Sequence, residues 1–80
     1  MGQYRVKLPE LGEAIEKANI SFWHFEEGNK LKKDDELVEV VTEKSTFNVS
    51  APASGTLSKI LFSEGEEVKI NEVIAIIDTE

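Results

Sequence analysis

Few side chains in this sequence could carry out chemistry by themselves. The 80 residues include one histidine, His24, and no cysteine, which excludes a thiolate nucleophile and the usual His and Cys ligands of zinc. A hydrolase needs a nucleophile, a base and an orienting group within reach of one another, and His24, between Trp23 and Phe25, has no such neighbours in the sequence. The carboxylates lack the spacing of a calcium loop. We therefore predict neither a catalytic site nor a metal site.

Lys44 carries a nucleophilic amine, and its position in the sequence suggests a site of covalent modification. The polar residues 42–46 separate a valine-rich segment from the segment Phe47-Asn48-Val49, and a polar break between two such segments is typical of a hairpin tip. An amine at an exposed tip is accessible to a modifying enzyme, and the flanking strands fix its direction. A turn lysine on its own is usually only solvated, so this setting alone leaves both interpretations open.

Size and charge narrow the classes of function. A chain of 80 residues forms one domain with a thin core, which favours a carrier or binding module over an enzyme with a deep cleft. The 16 Asp and Glu residues against 9 Lys and Arg residues give a net charge of -7, which disfavours nucleic acid as a partner. No apolar run approaches the roughly 20 residues that span a bilayer, and the absence of cysteine fits a reducing compartment. We expect residues 1–80 to be a single domain without a membrane segment.

Short apolar segments rich in β-branched residues, separated by turn residues, predict strands and not helices. The stretch from Glu10 to Lys17 is predicted to be a loop or one weak helical turn. The predicted strands are Tyr4 to Leu8, Asn19 to Phe25, Leu37 to Thr42, Thr46 to Ser50, Thr56 to Phe62 and Val73 to Asp78, with short pairing segments near Leu31 and Val68.

An internal repeat organises these strands. A shift of 57 − 20 = 37 positions aligns residues 20–43 with residues 57–80 without a gap. The aligned identical pairs are Ser21 and Ser58, Phe25 and Phe62, Glu27 and Glu64, Gly28 and Gly65, Lys32 and Lys69, Thr42 and Thr79, and Glu43 and Glu80. The repeat predicts an all-β fold, a flattened barrel or sandwich of two four-stranded antiparallel sheets with approximate two-fold symmetry. Only the first half presents a tip lysine, because the equivalent tip would lie just past Glu80.

Four motifs resemble the lipoyl domains of the acyltransferase components of 2-oxo acid dehydrogenase complexes. They are Lys7-Leu8-Pro9-Glu10-Leu11-Gly12-Glu13, Phe22-Trp23-His24-Phe25-Glu26-Glu27-Gly28, Thr42-Glu43-Lys44-Ser45 and Ala51-Pro52-Ala53-Ser54-Gly55. That family typically has glycines sixteen residues before and eleven residues after the modified lysine. Here 44 − 28 = 16 and 55 − 44 = 11, so both spacings end on glycines.

The resemblance implies a role for Lys44 and for the residues around it. Lys44 would carry covalent lipoic acid, with Thr42, Glu43 and Ser45 contributing to recognition, while Gly28, Gly55 and Gly65 would be structural turn glycines. The domain would have no catalytic site. Its lipoamide arm would carry acyl groups and reducing equivalents between a 2-oxo acid decarboxylase, an acyltransferase core and a dihydrolipoyl dehydrogenase.

The resemblance also implies partners and a location. A lipoate ligase or lipoyl transferase would modify a monomeric domain in the bacterial cytoplasm or the mitochondrial matrix. The loop after the first strand would lie near the lysine tip and contribute to recognition by the decarboxylase.

Two residues depart from the family pattern, and two alternatives stay open. The usual acid three positions before the lysine is Val41 here, and the usual Asp is Glu43, which affects recognition by partner enzymes and not the fold. A biotinyl domain shares the fold but has a Met-Lys-Met tip. An unmodified structural or adaptor domain of the same fold is the other alternative. The 2-oxo acid of the parent complex is not determined by the sequence.

Overall fold

The computed structural model describes residues 2–79, and these form eight strands without a helix. The strands are β1 (Gly2–Lys7), β2 (Lys17–Trp23), β3 (Lys30–Leu31), β4 (Glu36–Val41), β5 (Thr46–Ser50), β6 (Gly55–Ile60), β7 (Glu67–Lys69) and β8 (Val73–Thr79). Within residues 2–79, no helix is long and apolar enough to cross a membrane.

The strands form two four-stranded antiparallel sheets, with orders β1-β8-β6-β3 and β5-β4-β2-β7. Each sheet takes two neighbouring strands from one half of the repeat, one short strand from the other half, and one strand, β1 or β5, from outside the repeat. The halves therefore interleave through β3 and β7. The predicted all-β fold is confirmed, and the two sheets form a flattened sandwich and not a closed barrel.

The predicted two-fold symmetry is visible in the strand register. β2 pairs with β4 and β6 pairs with β8 with the same register after a shift of 37 positions. The corresponding pairs are Asn19↔Val41 and Thr56↔Asp78, Ile20↔Val40 and Leu57↔Ile77, Phe22↔Glu39 and Lys59↔Ile76, and Trp23↔Val38 and Ile60↔Ala75. The repeat in the sequence is therefore a repeat in three dimensions, except that the pair Glu43 and Glu80 extends outside the described residues.

The symmetry includes a β-bulge in each half. The register shifts between Ile20 and Phe22 in β2 and between Leu57 and Lys59 in β6. The residues at the bulges, Ser21 and Ser58, are followed by a second exposed residue, so the strict alternation of buried and exposed side chains is interrupted.

The core lies between the two sheets and consists of aliphatic side chains and one tryptophan. The buried residues are Val6, Leu8, Ala18, Ile20, Trp23, Leu31, Leu37, Val38, Val40, Val49, Ala51, Leu57, Val68, Ile74, Ala75 and Ile77. Of the side chains in residues 2–79, no polar or charged one is buried, so burial of apolar surface is the main stabilising term.

Five of the six long predicted strands differ from the structure in at least one bound, because the pairing of each strand begins or ends at a different residue. β2 begins at Lys17, which pairs with Lys69 of β7, and ends at Trp23. β4 ends at Val41, so Thr42 belongs to the turn. β6 ends at Ile60, and β1 extends from Gly2 to Lys7 and leaves Leu8 outside the strand. Only β5 has the predicted bounds.

The stretch from Glu10 to Lys17 was predicted to be a loop or one weak helical turn, and as far as Glu16 it is a loop with one tight turn. The amide of Ile15 donates to the carbonyl of Gly12 at 3.3 Å, and Ala14 has a positive φ of 66°. Lys17, the last residue of the predicted stretch, already belongs to β2.

Gly28 and Gly65 occupy equivalent turns and have φ values of 94° and 91°. Their amides donate to the carbonyls of Leu57 and Ile20, both at 2.7 Å, so each turn of one half is hydrogen-bonded to a strand of the other. A Cβ at either glycine would have no atom within 4 Å. Glycine is favoured there by the backbone conformation and not by lack of space.

The prediction that Gly55 is a turn glycine is wrong, because Gly55 is the first residue of β6. A Cβ at this position would overlap the carbonyl oxygen of Asp78 and lie 2.9 Å from Cγ2 of Ile77. The glycine allows the backbones of β6 and β8 to approach closely. This requirement depends on a strand more than twenty residues away in the sequence.

Candidate functional site

The tip between β4 and β5 is the candidate functional site. The last strand pair is Val41↔Thr46, and the four residues 42–45 form the turn beyond it. The amide of Thr42 donates to the carbonyl of Ser45 at 2.8 Å and closes the hairpin. Lys44 and Glu43 occupy the two central positions and are exposed.

The side chain of Thr42 is hydrogen-bonded inside this turn. Its Oγ1 accepts hydrogen bonds from the amide of Lys44 at 3.2 Å and from the amide of Ser45 at 3.0 Å. The same hydroxyl donates to the carbonyl of Ser45 at 3.0 Å. These hydrogen bonds connect the backbone of Lys44 to Thr42, the residue that follows β4. The side chain of Lys44 is exposed to solvent.

Neither central residue of the tip has a positive φ, in contrast to the residues in several other turns of the domain. Tight two-residue hairpins usually adopt primed turn types, which need a positive φ at their first central residue. The tip is therefore not a primed turn, the type whose backbone twist matches that of the flanking strands.

The loop after β1 lies beside the tip. Residues 14–17 and residues 42–44 line a shallow cavity of about 180 Å³. Ile15 is half-buried in this loop, whereas Ala14 and Glu16 are exposed. The sequence predicted this proximity through the family resemblance, and the cavity shows that Lys44 shares a surface with the loop.

Of the two lysines beside the cavity, Lys17 forms an ion pair within residues 2–79 and Lys44 does not. Lys17 forms an ion pair with Glu67 at 3.2 Å, between side chains that are 61% and 53% exposed, so the pair contributes little to stability. Within residues 2–79, Lys44 makes no ion pair with a carboxylate closer than 4.0 Å. Its ammonium group is therefore available to solvent and to a modifying enzyme.

Trp23 and His24 lie on opposite faces of the chain, as the strand alternation predicts. Trp23 belongs to the core, and its Nε1 donates to the carbonyl of Phe62 at 2.9 Å. His24 is exposed, its Nε2 lies 3.3 Å from Oδ1 of Asn48, and its ring packs edge-on against Phe22 at a centroid distance of 5.2 Å. Within residues 2–79, His24 belongs to no group of side chains that could bind a metal ion.

The described part of the chain contains no group of three or more His, Cys, Asp or Glu side chains that could bind a metal ion. Asp34 and Asn71 occupy equivalent turns and have positive φ values of 77° and 73°. This shared backbone conformation was not predicted from the sequence. A signal was present, because Asp and Asn tolerate the left-handed conformation and the two align in the repeat.

Comparison with known proteins places this arrangement in a family. A family model described as "Biotin-requiring enzyme" matches residues 4–77. A dihydrolipoyllysine-residue succinyltransferase component of the 2-oxoglutarate dehydrogenase complex from Rickettsia conorii is 44% identical over 72 residues, covering 88% of this chain and 18% of the relative. A dihydrolipoyllysine-residue acetyltransferase component of the pyruvate dehydrogenase complex from Staphylococcus epidermidis is 35% identical over 75 residues, covering 94% and 17%. The chain thus spans less than a fifth of these relatives.

Solved structures agree with the family model. The solution structure of the lipoyl domain of the 2-oxoglutarate dehydrogenase complex from Azotobacter vinelandii is similar with a TM-score of 0.76 and 28% identity, covering 94% of this chain and 95% of that one. The urea carboxylase of Kluyveromyces lactis contains a similar region with a TM-score of 0.81, covering 98% of this chain and 6% of that one. At 18% identity, the carboxylase shows a common fold alone.

The family model, the curated relatives and the solved lipoyl domain all match this two-sheet sandwich over most of its length. The chain belongs to the biotin and lipoyl attachment family, and its recognition as a lipoyl domain of the acyltransferase type is confirmed.

Proposed function

We propose that this chain is a lipoyl carrier domain and that Lys44 is its attachment residue. The observation that carries the proposal is the position of Lys44, an exposed amine at the centre of a hairpin tip whose backbone is held by hydrogen bonds. Among the nine Lys and Arg residues of the chain, Lys44 is the one that occupies this turn.

The residues at the tip fit covalent lipoic acid. A primary amine forms an amide with the carboxyl group of lipoate, and Lys44 Nζ is on a side chain that is exposed and not occupied by an ion pair within residues 2–79. The neighbouring side chains of Thr42 and Glu43 leave the tip open on its outer side, so a modifying enzyme can approach. The bound group supplies a dithiolane ring that can carry an acyl group and reducing equivalents.

The contribution of this chain to the chemistry is position. The sandwich fixes β4 and β5, the two strands fix the tip, and the tip directs the Lys44 side chain into solvent. A tethered group meets its partner sites at a high effective concentration, which replaces a slow encounter between separate molecules. Docking at each site has to be weak, because a tightly bound domain could not move on.

The relatives suggest the partners. Two are named as components of the 2-oxoglutarate and pyruvate dehydrogenase complexes, and we infer that this domain serves such a complex through a 2-oxo acid decarboxylase, an acyltransferase core and a dihydrolipoyl dehydrogenase. A lipoate ligase or lipoyl transferase would modify it. We further propose that the chain acts as a single monomeric domain without a catalytic site of its own, in the bacterial cytoplasm or the mitochondrial matrix.

The test is mass spectrometry after incubation with a lipoate ligase, lipoic acid and ATP. We expect one lipoyl adduct, located on Lys44 by fragmentation, and none in the Lys44→Ala variant. Lys59→Ala, which removes an exposed lysine from β6, serves as the matched control and should be modified as fully as the wild type. A lipoyl group on another lysine, or modification by a biotin ligase in preference to the lipoate ligase, would contradict the assignment.

A further inference from the structure

The hydroxyl group of Thr42 makes three hydrogen bonds within the tip. It accepts from the amides of Lys44 and Ser45 at 3.2 and 3.0 Å and donates to the carbonyl of Ser45 at 3.0 Å. A hydroxyl group has one donor and two acceptor sites, so these bonds use its full capacity. A carboxylate could only accept and a valine could do neither, so within this turn the chemistry of Thr42 is specific to a hydroxyl side chain.

The other half of the domain contains an equivalent of one of these three hydrogen bonds. Thr79 is equivalent to Thr42 in the repeat, and its Oγ1 donates to the carbonyl of Gly2 at 3.2 Å across β8 and β1. Donation across the strand pair is therefore a feature of the scaffold in both halves. The two bonds that the Thr42 hydroxyl accepts come from the amides of Lys44 and Ser45, so they bear directly on the backbone of the lysine.

Four other turns also contain a hydrogen bond between a side chain and a backbone amide, but in the opposite direction. In each of them, the side chain of the fourth residue accepts from the amide of the first. The pairs of fourth and first residues are Asn29 and Glu26, Asp35 and Lys32, Glu66 and Ser63, and Glu72 and Lys69. The tip reverses this direction, because the first residue accepts from the third and fourth.

We propose that Thr42 is a positioning residue for the lipoylation of Lys44, an inference that rests on the proposed function. Because the tip has no left-handed residue, its turn lacks the twist that would match the flanking strands. The Thr42 hydroxyl compensates by attaching the Lys44 amide to the end of β4. This bond fixes the backbone of Lys44 and therefore the direction in which its side chain leaves the tip.

The proposal predicts a particular kinetic effect. Without the hydroxyl, the tip samples several conformations, and only a fraction of the molecules presents Lys44 in the orientation that the ligase binds. The apparent affinity of the ligase falls in proportion to that fraction. At saturating domain concentration the ligase selects the competent conformation, so KM rises while kcat stays close to the wild-type value.

The experiment compares Thr42→Val, Thr42→Ser and Thr79→Val with the wild type. Initial rates of lipoylation are measured against domain concentration with a lipoate ligase, lipoic acid and ATP. For Thr42→Val, we expect KM to rise about tenfold, the change that the loss of one or two hydrogen bonds of ordinary strength produces. Thr42→Ser keeps the hydroxyl and should stay within about twofold of the wild type, and Thr79→Val, which removes only the scaffold bond, should do the same.

Hydrogen exchange of the backbone amides provides a readout that does not depend on the ligase. In Thr42→Val the amides of Lys44 and Ser45 should exchange about tenfold faster, while that of Gly65, bonded to the carbonyl of Ile20, keeps its protection. Circular dichroism confirms that every variant is folded.

Three results would overturn the proposal. They are a wild-type KM in Thr42→Val, an equal loss in Thr42→Ser, or unchanged exchange of the Lys44 amide in Thr42→Val. If the ligase leaves the wild-type chain unmodified, the proposed function fails and the role of Thr42 in lipoylation fails with it. The exchange rates then still decide whether the hydroxyl orders the tip.

Discussion

The strand pair β4 and β5 and the strand pair β8 and β1 have the same register after a shift of 37 positions. Adding 37 to Glu36, Val38, Glu39, Val40 and Val41 gives the residues of β8 that pair with β1. The pairs differ at their ends, because the first leads into the tip with Lys44, whereas the second brings Thr79 opposite Gly2. The scaffold is therefore present in two copies, and within residues 2–79 the first copy leads into the tip that contains Lys44.

The same comparison separates two kinds of residue. Residues that stabilise the scaffold have equivalents in the other half of the repeat. Gly28 is equivalent to Gly65, and Glu27 is equivalent to Glu64. Lys44, the residue proposed to carry the lipoyl group, lies beyond the last strand pair. Substitutions in the scaffold should therefore change stability, and substitutions at the tip should change lipoylation.

The largest effect is expected when Glu43 and Lys44 are exchanged. The exchange keeps the net charge and the composition of the tip, but it moves the amine to a position with a different direction. We expect lipoylation to fall to background, because the ligase meets the amine at the wrong orientation. The free energy of unfolding should change by less than about 0.5 kcal/mol, since both side chains are exposed.

The check is the ligase assay on both proteins, with urea denaturation to compare their stabilities. Efficient modification of the displaced lysine would mean that the ligase recognises a flexible local sequence, and the division between scaffold and tip would then have no functional meaning.

Gly55 should show the largest effect on stability, because the symmetry is broken at this position. Its equivalent is Ala18, since 55 − 37 = 18, and the methyl group of Ala18 fits in the core. At Gly55 a methyl group would overlap the Asp78 carbonyl oxygen, so we expect Gly55→Ala to cost about 3 kcal/mol through overpacking.

The matched variant Ala18→Gly should cost only about 1 kcal/mol, because it removes a methyl group and adds chain entropy to the unfolded state. Chemical denaturation of both variants measures the difference. Equal costs would show that β6 and β8 are no closer than β2 and β4.

Gly28→Ala and Gly65→Ala should be destabilising to the same extent. Both glycines have nearly the same positive φ, and neither has an atom within 4 Å of a built Cβ. The cost is then backbone strain alone, about 1 to 2 kcal/mol for each variant. Thermal or urea denaturation of the two single variants should agree within about 0.5 kcal/mol, an interval that reflects ordinary context effects. A clear inequality would show that the two turns are not equivalent in energy.

The smallest effect is expected for Glu27 and Glu64, which connect the two halves. Oε2 of Glu27 accepts from the amide of Ile60 at 2.8 Å, and Oε2 of Glu64 accepts from the amide of Trp23 at 3.2 Å. Replacing either residue by alanine should cost about 1 kcal/mol, the net value of one hydrogen bond. Glutamine keeps an acceptor at the same place and removes the charge, so Glu27→Gln and Glu64→Gln control for the acidic surface. If glutamine and alanine are equivalent at both positions, the hydrogen bonds do not contribute.

Most of the fold could be predicted from local sequence patterns. Short apolar segments rich in β-branched residues identified the strands, and the aligned repeat identified the two-fold relation of the sheets. Both patterns depend only on neighbouring positions and on a constant shift. The tip was predicted from its polar residues between two apolar segments. The predicted ends of the strands were less accurate. The first and last residues of a strand depend on the residues with which they form hydrogen bonds, as at Lys17 and Thr42.

The sequence by itself determined that this is an all-β domain with two related halves and one tip lysine. Only the tertiary structure decided features that depend on atoms far apart in the chain: the exchange of β3 and β7 between sheets, the close approach that requires Gly55, and the loop beside Lys44. The three hydrogen bonds of the Thr42 hydroxyl also became visible only in the structure, because they depend on how residues 42–45 fold back on themselves.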